Sequence, residues 1–573
     1  MASLDFRIPK AEDIYVFIPA FCYGGNKRDV LKKQYPPHYT AEEAAKDLRC
    51  QADVPCLGKD GSGKIEASCG DMATPCIGLF FPSLKQAHFV FTAQKAGGYD
   101  IGISYTSGKI QLTCPAVRDN IYRFPSPCME KNEELYPDYN GEIPHRYMVL
   151  DCADIAEFYR IFFENRKIMN LPLTEPFQYS RAKQIEIQIA KMNQMNWKSK
   201  GEFYAVGTTD HPSQVWQSGW VGGPMTAYAM AKLGGELEEE RGTKTMLHLI
   251  KCQGQSGFFY GGCDKDGVKT SDGKGGEGTE NWAMVRKSAD CLYFIMRYLM
   301  EVDGSQDALI QGAKKCADAF VKLWQSSGEW GLFADTETGE TTVGGSSAGA
   351  LAGAGLVKAA AFFKEPAYLQ IAQEAADYYH ADCLKNGCTC GGPGDILHAY
   401  DSESAFALLE SLTVLHEETH EKHWLAKAEF AAHVCSSWTV SYDFEFPWES
   451  ELSRIGAKTT GTIFANIQNK HSAPGICTLS PVSLRKLYEW TKNPLYQSLY
   501  KEIALVLSQF MSTEKRPIYS WDNPKQKLCE GFINERVNMS DWEGKVNVGG
   551  LFNGSCWSET ANLLTLVDCP EIK

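Results

Sequence analysis

The sequence lacks a basic surplus. Its 573 residues carry 57 Lys+Arg against 71 Asp+Glu, a formal net charge of −14 at pH 7. A polyanion binder needs a cationic surface to displace counterions, so nucleic acid is excluded as a main partner, whereas a local basic pocket for one acidic sugar is not. Long hydrophobic runs are lacking as well. The most apolar stretch, SSAGALAGAGLVKAAAFF at 346–363, is rich in Ala and Gly and interrupted by Lys358. It fits a close-packed buried helix better than a membrane span. The opening residues, MASLDFRIPKAEDIYVF, have no basic n-region, apolar h-region or cleavage site. The expectation is a soluble, cytoplasmic protein with no membrane partner. Nucleotide signatures are missing too: GGEGTENW is glycine-rich, but it has no GxGxxG spacing and follows no strand. No cofactor is expected.

Cysteine is not scarce, yet its pattern excludes a disulfide scaffold. The 20 cysteines are spread over a long chain, unlike those of small secreted domains, and read as buried thiols in a reducing compartment. The densest group, His380, Cys383, Cys388 and Cys390, lacks the paired CxxC spacing of zinc sites and reads as a Cys-rich turn, so no metal is expected.

What is present divides the chain in two. Up to about residue 172, β-branched and aromatic runs at 14–21, 88–94, 99–106, 109–114 and 146–152 alternate with Gly, Pro, Asn and Asp turns. They predict an antiparallel β-sandwich over 1–172, leaving through a linker helix at 155–169. From 173 to 573 the period is helical. Helices are predicted near 178–197, 223–234, 240–253, 280–301, 305–325, 346–363, 366–384, 402–417, 421–438, 481–491, 494–511 and 557–566. Double glycines precede every second helix, at 222–223, 275–276, 344–345, 391–392 and 549–550, with APG in the remaining place near 475. The helices that follow them are apolar nearly all round, hence buried; the alternate ones are amphipathic. The fold class is therefore α+β and multidomain, with a sandwich followed by an (α/α)6 barrel of six helical hairpins. The loops before the inner helices meet at one end, where unpaired N–H groups and helix dipoles converge.

Those loops are rich in carboxylates, amides and tryptophans. They hold Asp210, His211, Gln214, Trp216, Gln217 and Trp220; Glu280, Asn281, Trp282 and, one turn on, Arg286; His398, Tyr400, Asp401 and Glu403; Asn466, Lys470 and His471; Asn553 and Trp557. Sugar hydroxyls need bidentate polar partners and pyranose faces stack on rings. Glycosidic cleavage needs two carboxyl groups, one with a raised pKa. Glu280, Asp401 and Glu403, all at predicted inner-helix starts, are the candidate catalytic residues. Each has a plainer alternative. Asp401 can cap its helix, and Glu403 and Glu280 can be first-turn acids serving the dipole. Asp210 can close an Asx turn, the histidines can be structural, and the tryptophans can be core.

The motifs QVWQSGWVGGP, GEGTENWA, GGPGD…DSES and GGLFNGSCWSE resemble those of the six-hairpin glycosidases, the (α/α)6-barrel group of glycoside hydrolases and some polysaccharide lyases. A sandwich ahead of the barrel resembles the hydrolases and phosphorylases of that group. YVFIPAFCYGGN and CGDMATPCIGLFFP, with the barrel motifs, resemble glycoside hydrolase family 154, a β-glucuronidase family. This resemblance implies a hydrolase acting on an oligosaccharide, removing a β-linked glucuronic acid, with Arg286, Lys470 or His471 at the sugar carboxylate. Three alternatives stay open: a lyase with a base among Tyr260, Tyr400, His398 and His471, a histidine-based sugar epimerase or isomerase, and a non-catalytic glycan-binding protein. A phosphorylase would need more basic residues in these loops. An oligosaccharide is the expected partner, and association into a homo-oligomer is left open.

Overall fold

A computed structural model describes residues 2–118, 139–169, 179–208, 217–263, 266, 268–273, 276–477, 479–520, 523, 525–541, 545–552 and 555–572. Its first part is strands. β1 (Ala2–Arg7), β4 (Lys64–Ser68), β7 (Gly102–Thr106) and β8 (Lys109–Cys114) form an antiparallel sheet in the order β1-β8-β7-β4. β2 (Tyr15–Ile18), β3 (Cys22–Tyr23), β5 (Cys76–Phe81), β6 (Gln86–Thr92) and β9 (His145–Asp151) form a second, in the order β9-β6-β5-β2-β3. One apolar cluster joins them, with Ile65, Ile103, Ile110 and Leu112 from the first sheet meeting Val16, Ile18, Ile77, Leu79 and Val90 from the second.

The inner strands β2 and β5 are buried on both sides, which is why YVFI and CIGLFF read as unbroken apolar runs rather than alternating ones, whereas the edge strand β9 is largely exposed. The other face of the second sheet, with Phe17, Phe80, Phe89 and Phe91, packs on Phe158 and Phe162 of helix α1 (Ile155–Asn165) and merges with the helical core. Gly78 in β5 allows this close approach: a Cβ there would lie 2.6 Å from the Phe89 ring and 2.8 Å from the Phe158 ring. Gly78→Ala is therefore expected to destabilise the protein by about 1–3 kcal/mol through overpacking, measured by urea unfolding.

The remainder is helical. α2 (Arg181–Lys191), α3 (Pro224–Leu233), α4 (Glu236–Lys251), α5 (Val285–Glu301), α6 (Asp307–Ser327), α7 (Ala352–Phe363), α8 (Pro366–Asp382), α9 (Ser402–Thr419), α10 (Lys422–Ser436), α11 (Val482–Thr491), α12 (Pro494–Val506) and α13 (Trp557–Asp568) match the predicted series closely. The main departure is that the second inner helix begins at Val285, after a short strand at Trp282–Met284, rather than at 280. Consecutive helices pair as α3·α4, α5·α6, α7·α8, α9·α10 and α11·α12, and the last helix, α13, packs against the first, α2. The inner members follow one another in space as α13-α3-α5-α7-α9-α11, a six-hairpin, glycosidase-like arrangement. In α5, α9 and α13 nearly every residue is buried, whereas the outer helix α8 alternates.

Among the described residues no disulfide joins the cysteines, and no helix is long and apolar enough to cross a membrane. The Cys-rich segment at 383–390 is a turn: Cys388 Sγ lies 3.6 Å from the Asn386 carbonyl, and Cys390 Sγ lies 3.5 Å from the Arg28 guanidinium.

Candidate functional site

The loops that lead into the inner helices enclose a cleft of about 250 Å³. Gln217, Trp220, Pro393, Asp395, Glu403, Asn466, Asn469, His471, Cys477, Glu535, Arg536, Phe552 and Trp557 are among its walls. The first loop reaches it through a tight reversal: Gly223 has φ +70, and a Cβ there would sit 2.6 Å from the Gln217 carbonyl. Pro224 then starts α3 at a position that needs no N–H.

Glu403 lies in the first turn of α9 and is 7% exposed. Its Oε2 accepts a 3.1 Å hydrogen bond from the Trp220 indole N–H and pairs with the Arg286 guanidinium. Asp290, one turn along α5, lies 3.4 Å from Arg286 Nε and accepts the Trp220 backbone N–H at 2.8 Å. Burial raises the Asp290 carboxyl and Arg286 pulls it back. Asp290 thus orients both groups that hold Glu403, and the guanidinium gives the Glu403 carboxylate a counter-ion in a dry wall.

A second carboxylate faces this cleft from the loop between α12 and α13. Glu535 Oε2 accepts the Ser555 N–H at 2.9 Å. Burial lifts its carboxyl above the ordinary value, and Arg536, Ser555 and Trp557 oppose that lift. Asp395 supplies a third, accepting a 2.7 Å hydrogen bond from the Tyr35 hydroxyl.

The amides are placed for a polar ligand. Asn466 uses Oδ1 for an Asx turn, accepting the N–H groups of Gln468 at 2.9 Å and Asn469 at 2.8 Å. Asn466 Nδ2 and Asn469 Oδ1 are buried with no hydrogen-bond partner among the described residues, although both residues line the cleft. Leaving such atoms unmet costs about 1–3 kcal/mol each, which a hydroxyl-bearing ligand would recover. His471 lines the same wall, and burial together with Arg536 holds its imidazole neutral.

The cleft gathers Gln217, Trp220, Glu403, Asn466, His471 and Trp557 from the residues singled out in the sequence, with Arg286 behind Glu403. Others lie elsewhere. Glu280 is exposed in a turn and accepts the Gly278 N–H, because the strand at Trp282–Met284 intervenes before α5. Asn281 meets the Tyr260 hydroxyl at 3.0 Å, and Trp282 packs with Tyr39 and Phe333. Asp401 is the cap of α9: its oxygens take the N–H groups of Ser404 at 2.6 Å and Gly392 at 3.0 Å. Burial lifts its carboxyl to about 6 against those donors. His398 is fixed between the Tyr39 hydroxyl at 2.9 Å and the Gly344 carbonyl at 2.8 Å, and burial with Arg28 takes its pKa to about 3. The Arg28 guanidinium lies 4.8 Å above the Tyr400 ring, and the Lys470 ammonium 4.8 Å from the Phe21 ring. Both contacts join the helices to the N-terminal part. Asp210, His211, Gln214, Trp216 and Asn553 lie outside the described residues.

Glu535, Arg536, Asp290 and Asn469 are among the residues that sequence reasoning missed. FINERVNMS follows no helical period and no glycine pair, so nothing local ties it to the mouth loops. Its adjacent opposite charges flanked by asparagines were the one available signal.

No protein-family model matches this chain, and no curated protein sequence matches it. Solved structures that resemble it include a D-mannose isomerase (TM-score 0.46, 13% identity, covering 68% of this chain and 96% of that one). The GH76A α-1,6-mannanase from Salegentibacter sp. HEL1_6 gives a TM-score of 0.44 at 10% identity, covering 69% of this chain and 100% of that one. Cellobiose 2-epimerase from Bacillus thermoamylovorans B4167 gives 0.44 at 9%, covering 68% and 98%. Likeness at this level transfers neither substrate nor mechanism.

Proposed function

We propose that this protein is a carbohydrate-active enzyme that hydrolyses a glycosidic bond in an oligosaccharide, with Glu403 and Glu535 as its two carboxyl groups. The observation that carries this reading is their contrast within one cleft. Glu403 is paired with Arg286, whereas burial lifts Glu535 toward the protonated form. Two carboxyl groups with environments that push them apart are what acid and base roles require. Glu535 donates its proton to the leaving glycosidic oxygen. Glu403 takes a proton from the attacking water, or attacks the anomeric carbon itself. Trp220, Trp557 and Phe552 offer stacking faces, and the unmet Asn466 and Asn469 atoms offer a donor and an acceptor to hydroxyls.

Glucuronic acid remains the favoured sugar on one ground: Arg536 at the cleft wall is a cation suited to a carboxylate. The likeness to family 154 has no family-model match behind it. Of the bases a lyase could use, the Tyr260 hydroxyl is engaged with Asn281 and Glu337, Tyr400 packs under Arg28 and His398 is fixed between Tyr39 and Gly344, which leaves His471 alone in the cleft. A second reading, isomerisation or epimerisation of a free sugar, rests on His471 as the base in the same wall, with burial and Arg536 weakening its basicity.

A panel of neutral and uronate oligosaccharides and free sugars separates these readings. Hydrolysis releases sugar without new ultraviolet absorbance, elimination releases it with a conjugated double bond, and isomerisation changes a free sugar with no bond cleaved. The pH profile tests the acid. Glu535 must be protonated to act, so kcat falls above its pKa. Arg536 favours its ionised form, so Arg536→Met should raise that pKa and move the alkaline limb to higher pH. An unmoved limb would remove Glu535 from the acid role.

A further inference from the structure

His248, Cys252 and Cys263 form a cluster well apart from the catalytic chemistry in sequence and buried in the outer wall of the hairpin ring. His248 lies in the last turn of α4 and Cys252 caps that helix, so the two are one turn apart on one helix face. The chain then doubles back. Gly254 N–H donates to the Phe258 carbonyl at 2.8 Å, residues Gln253 and Phe259 bridge antiparallel, and Tyr260 N–H returns to the Cys252 carbonyl at 2.9 Å. This reversal brings Cys263 alongside the helix end. One imidazole nitrogen and the two sulfurs are ligand atoms that all lie within 4.8 Å of one another, and the residues are 2%, 0% and 1% exposed. Phe203 stacks on the imidazole at 4.3 Å and fixes its plane.

From this juxtaposition we infer that His248, Cys252 and Cys263 bind a structural zinc ion. Tetrahedral zinc, with sulfur at about 2.3 Å and nitrogen at about 2.0–2.1 Å, wants donors about 3.5–3.8 Å apart, an inward adjustment of about 1 Å from the outer limit here. Two thiolates and a neutral imidazole are a donor set that selects zinc over hard cations. Binding releases one proton from each thiol to solvent and changes no oxidation state; the three groups fill three of the four tetrahedral positions. Because the donors are buried, the ion is taken up as the chain folds rather than by exchange at a surface. The clamp has a structural reach. Two residues before Cys263, the Gly261 carbonyl accepts the Ser218 N–H at 3.1 Å and the Lys287 ammonium at 3.0 Å. Ser218 is two residues from Trp220, so the ion braces the strand on which that cleft wall hangs.

The test is the metal content of the full-length protein, expressed in zinc-supplemented medium and purified without chelator, by inductively coupled plasma mass spectrometry. About one zinc per chain is expected, falling below about a tenth in Cys252→Ser and Cys263→Ser. Protein refolded with Co²⁺ in place of zinc should show thiolate-to-cobalt charge-transfer absorption, and a strong chelator should lower the Tm of the zinc form. Wild-type protein with less than about a tenth of an equivalent of metal, and no rise in Tm on refolding with zinc, overturns the inference. So does a different metal at full occupancy. If the serine variants do not fold, wild-type metal content and the cobalt spectrum still decide. None of these readouts depends on which sugar the cleft accepts.

Discussion

Glu403→Gln is expected to lower kcat by about 10²–10⁴-fold while leaving the fold intact. The glutamine keeps an oxygen for the Trp220 indole N–H and for Arg286, but it can neither take a proton nor attack carbon. Arg286 retains Asp290 as its counter-ion, so the substitution leaves a balanced pair where two acids shared one guanidinium. Stability should therefore change by no more than about 1 kcal/mol, since a neutral hydrogen bond replaces a charged one. Glu535→Gln should behave differently. It removes the proton donor, so cleavage of an alkyl glycoside falls steeply, whereas an aryl glycoside with an acidic leaving group needs little protonation and is largely spared. Two controls fix the interpretation. Glu280→Gln, in its exposed turn, should leave kcat and stability unchanged. Asp401→Ala should cost about 1–2 kcal/mol as a lost cap, with activity lost only in proportion to unfolded protein. Full turnover in Glu403→Gln, measured on the substrate found in the panel, would sink the proposed mechanism.

The contrast between Glu403, Glu280 and Asp401 marks what the sequence could convey. All three read as acids at the start of an inner helix behind a glycine-rich loop. The glycine pairs and the all-round apolar helices were sufficient to order the hairpins, because burial of an entire helix leaves no other arrangement of these faces. They could not separate the three acids. Glu280 is displaced by a three-residue strand at Trp282–Met284, whose partner lies at Phe333–Asp335, a pairing decided by tertiary contacts. At Asp401 the backbone has φ −145 and ψ 158, which turns its side chain onto its own helix end, whereas Glu403 two residues later looks into the cleft. A strand such as CIGLFF at 76–81 was invisible for a related reason: buried on both faces, it shows no alternation. Glu535 lay beyond reach because its loop has no period, and only packing against Ser555 and Trp557 brings it to the mouth.

Lys191→Met is expected to destabilise the protein by about 3–5 kcal/mol, the largest effect anticipated for a residue outside the cleft. Lys191 ends the first helix of the series and its Nζ lies 2.9 Å from Glu559 Oε1 in the last, with side chains 0% and 1% exposed. The contact is one of charge first, with the hydrogen bond to Glu559 the smaller contribution. Burial alone would pull the ammonium down, but Glu559 beside it outweighs that, and its pKa stands above 10.5. A folded value above the unfolded one means that the stabilisation is complete below pH 10.5 and fades only as pH rises through the folded value. Removing the lysine leaves the Glu559 carboxylate in a dry core with the Ile533 N–H, at 3.2 Å, as its one hydrogen-bond donor among the described residues. The double variant Lys191→Met/Glu559→Leu replaces both charges with apolar volume and should recover more than half of the loss, a coupling that urea unfolding of the two singles and the double measures directly. Additive losses would show that the pair does not hold the ring closed. Glu559 is two residues from Trp557, so the single variant should also loosen the wall that opposes the lift of Glu535, and its alkaline limb should move with its stability.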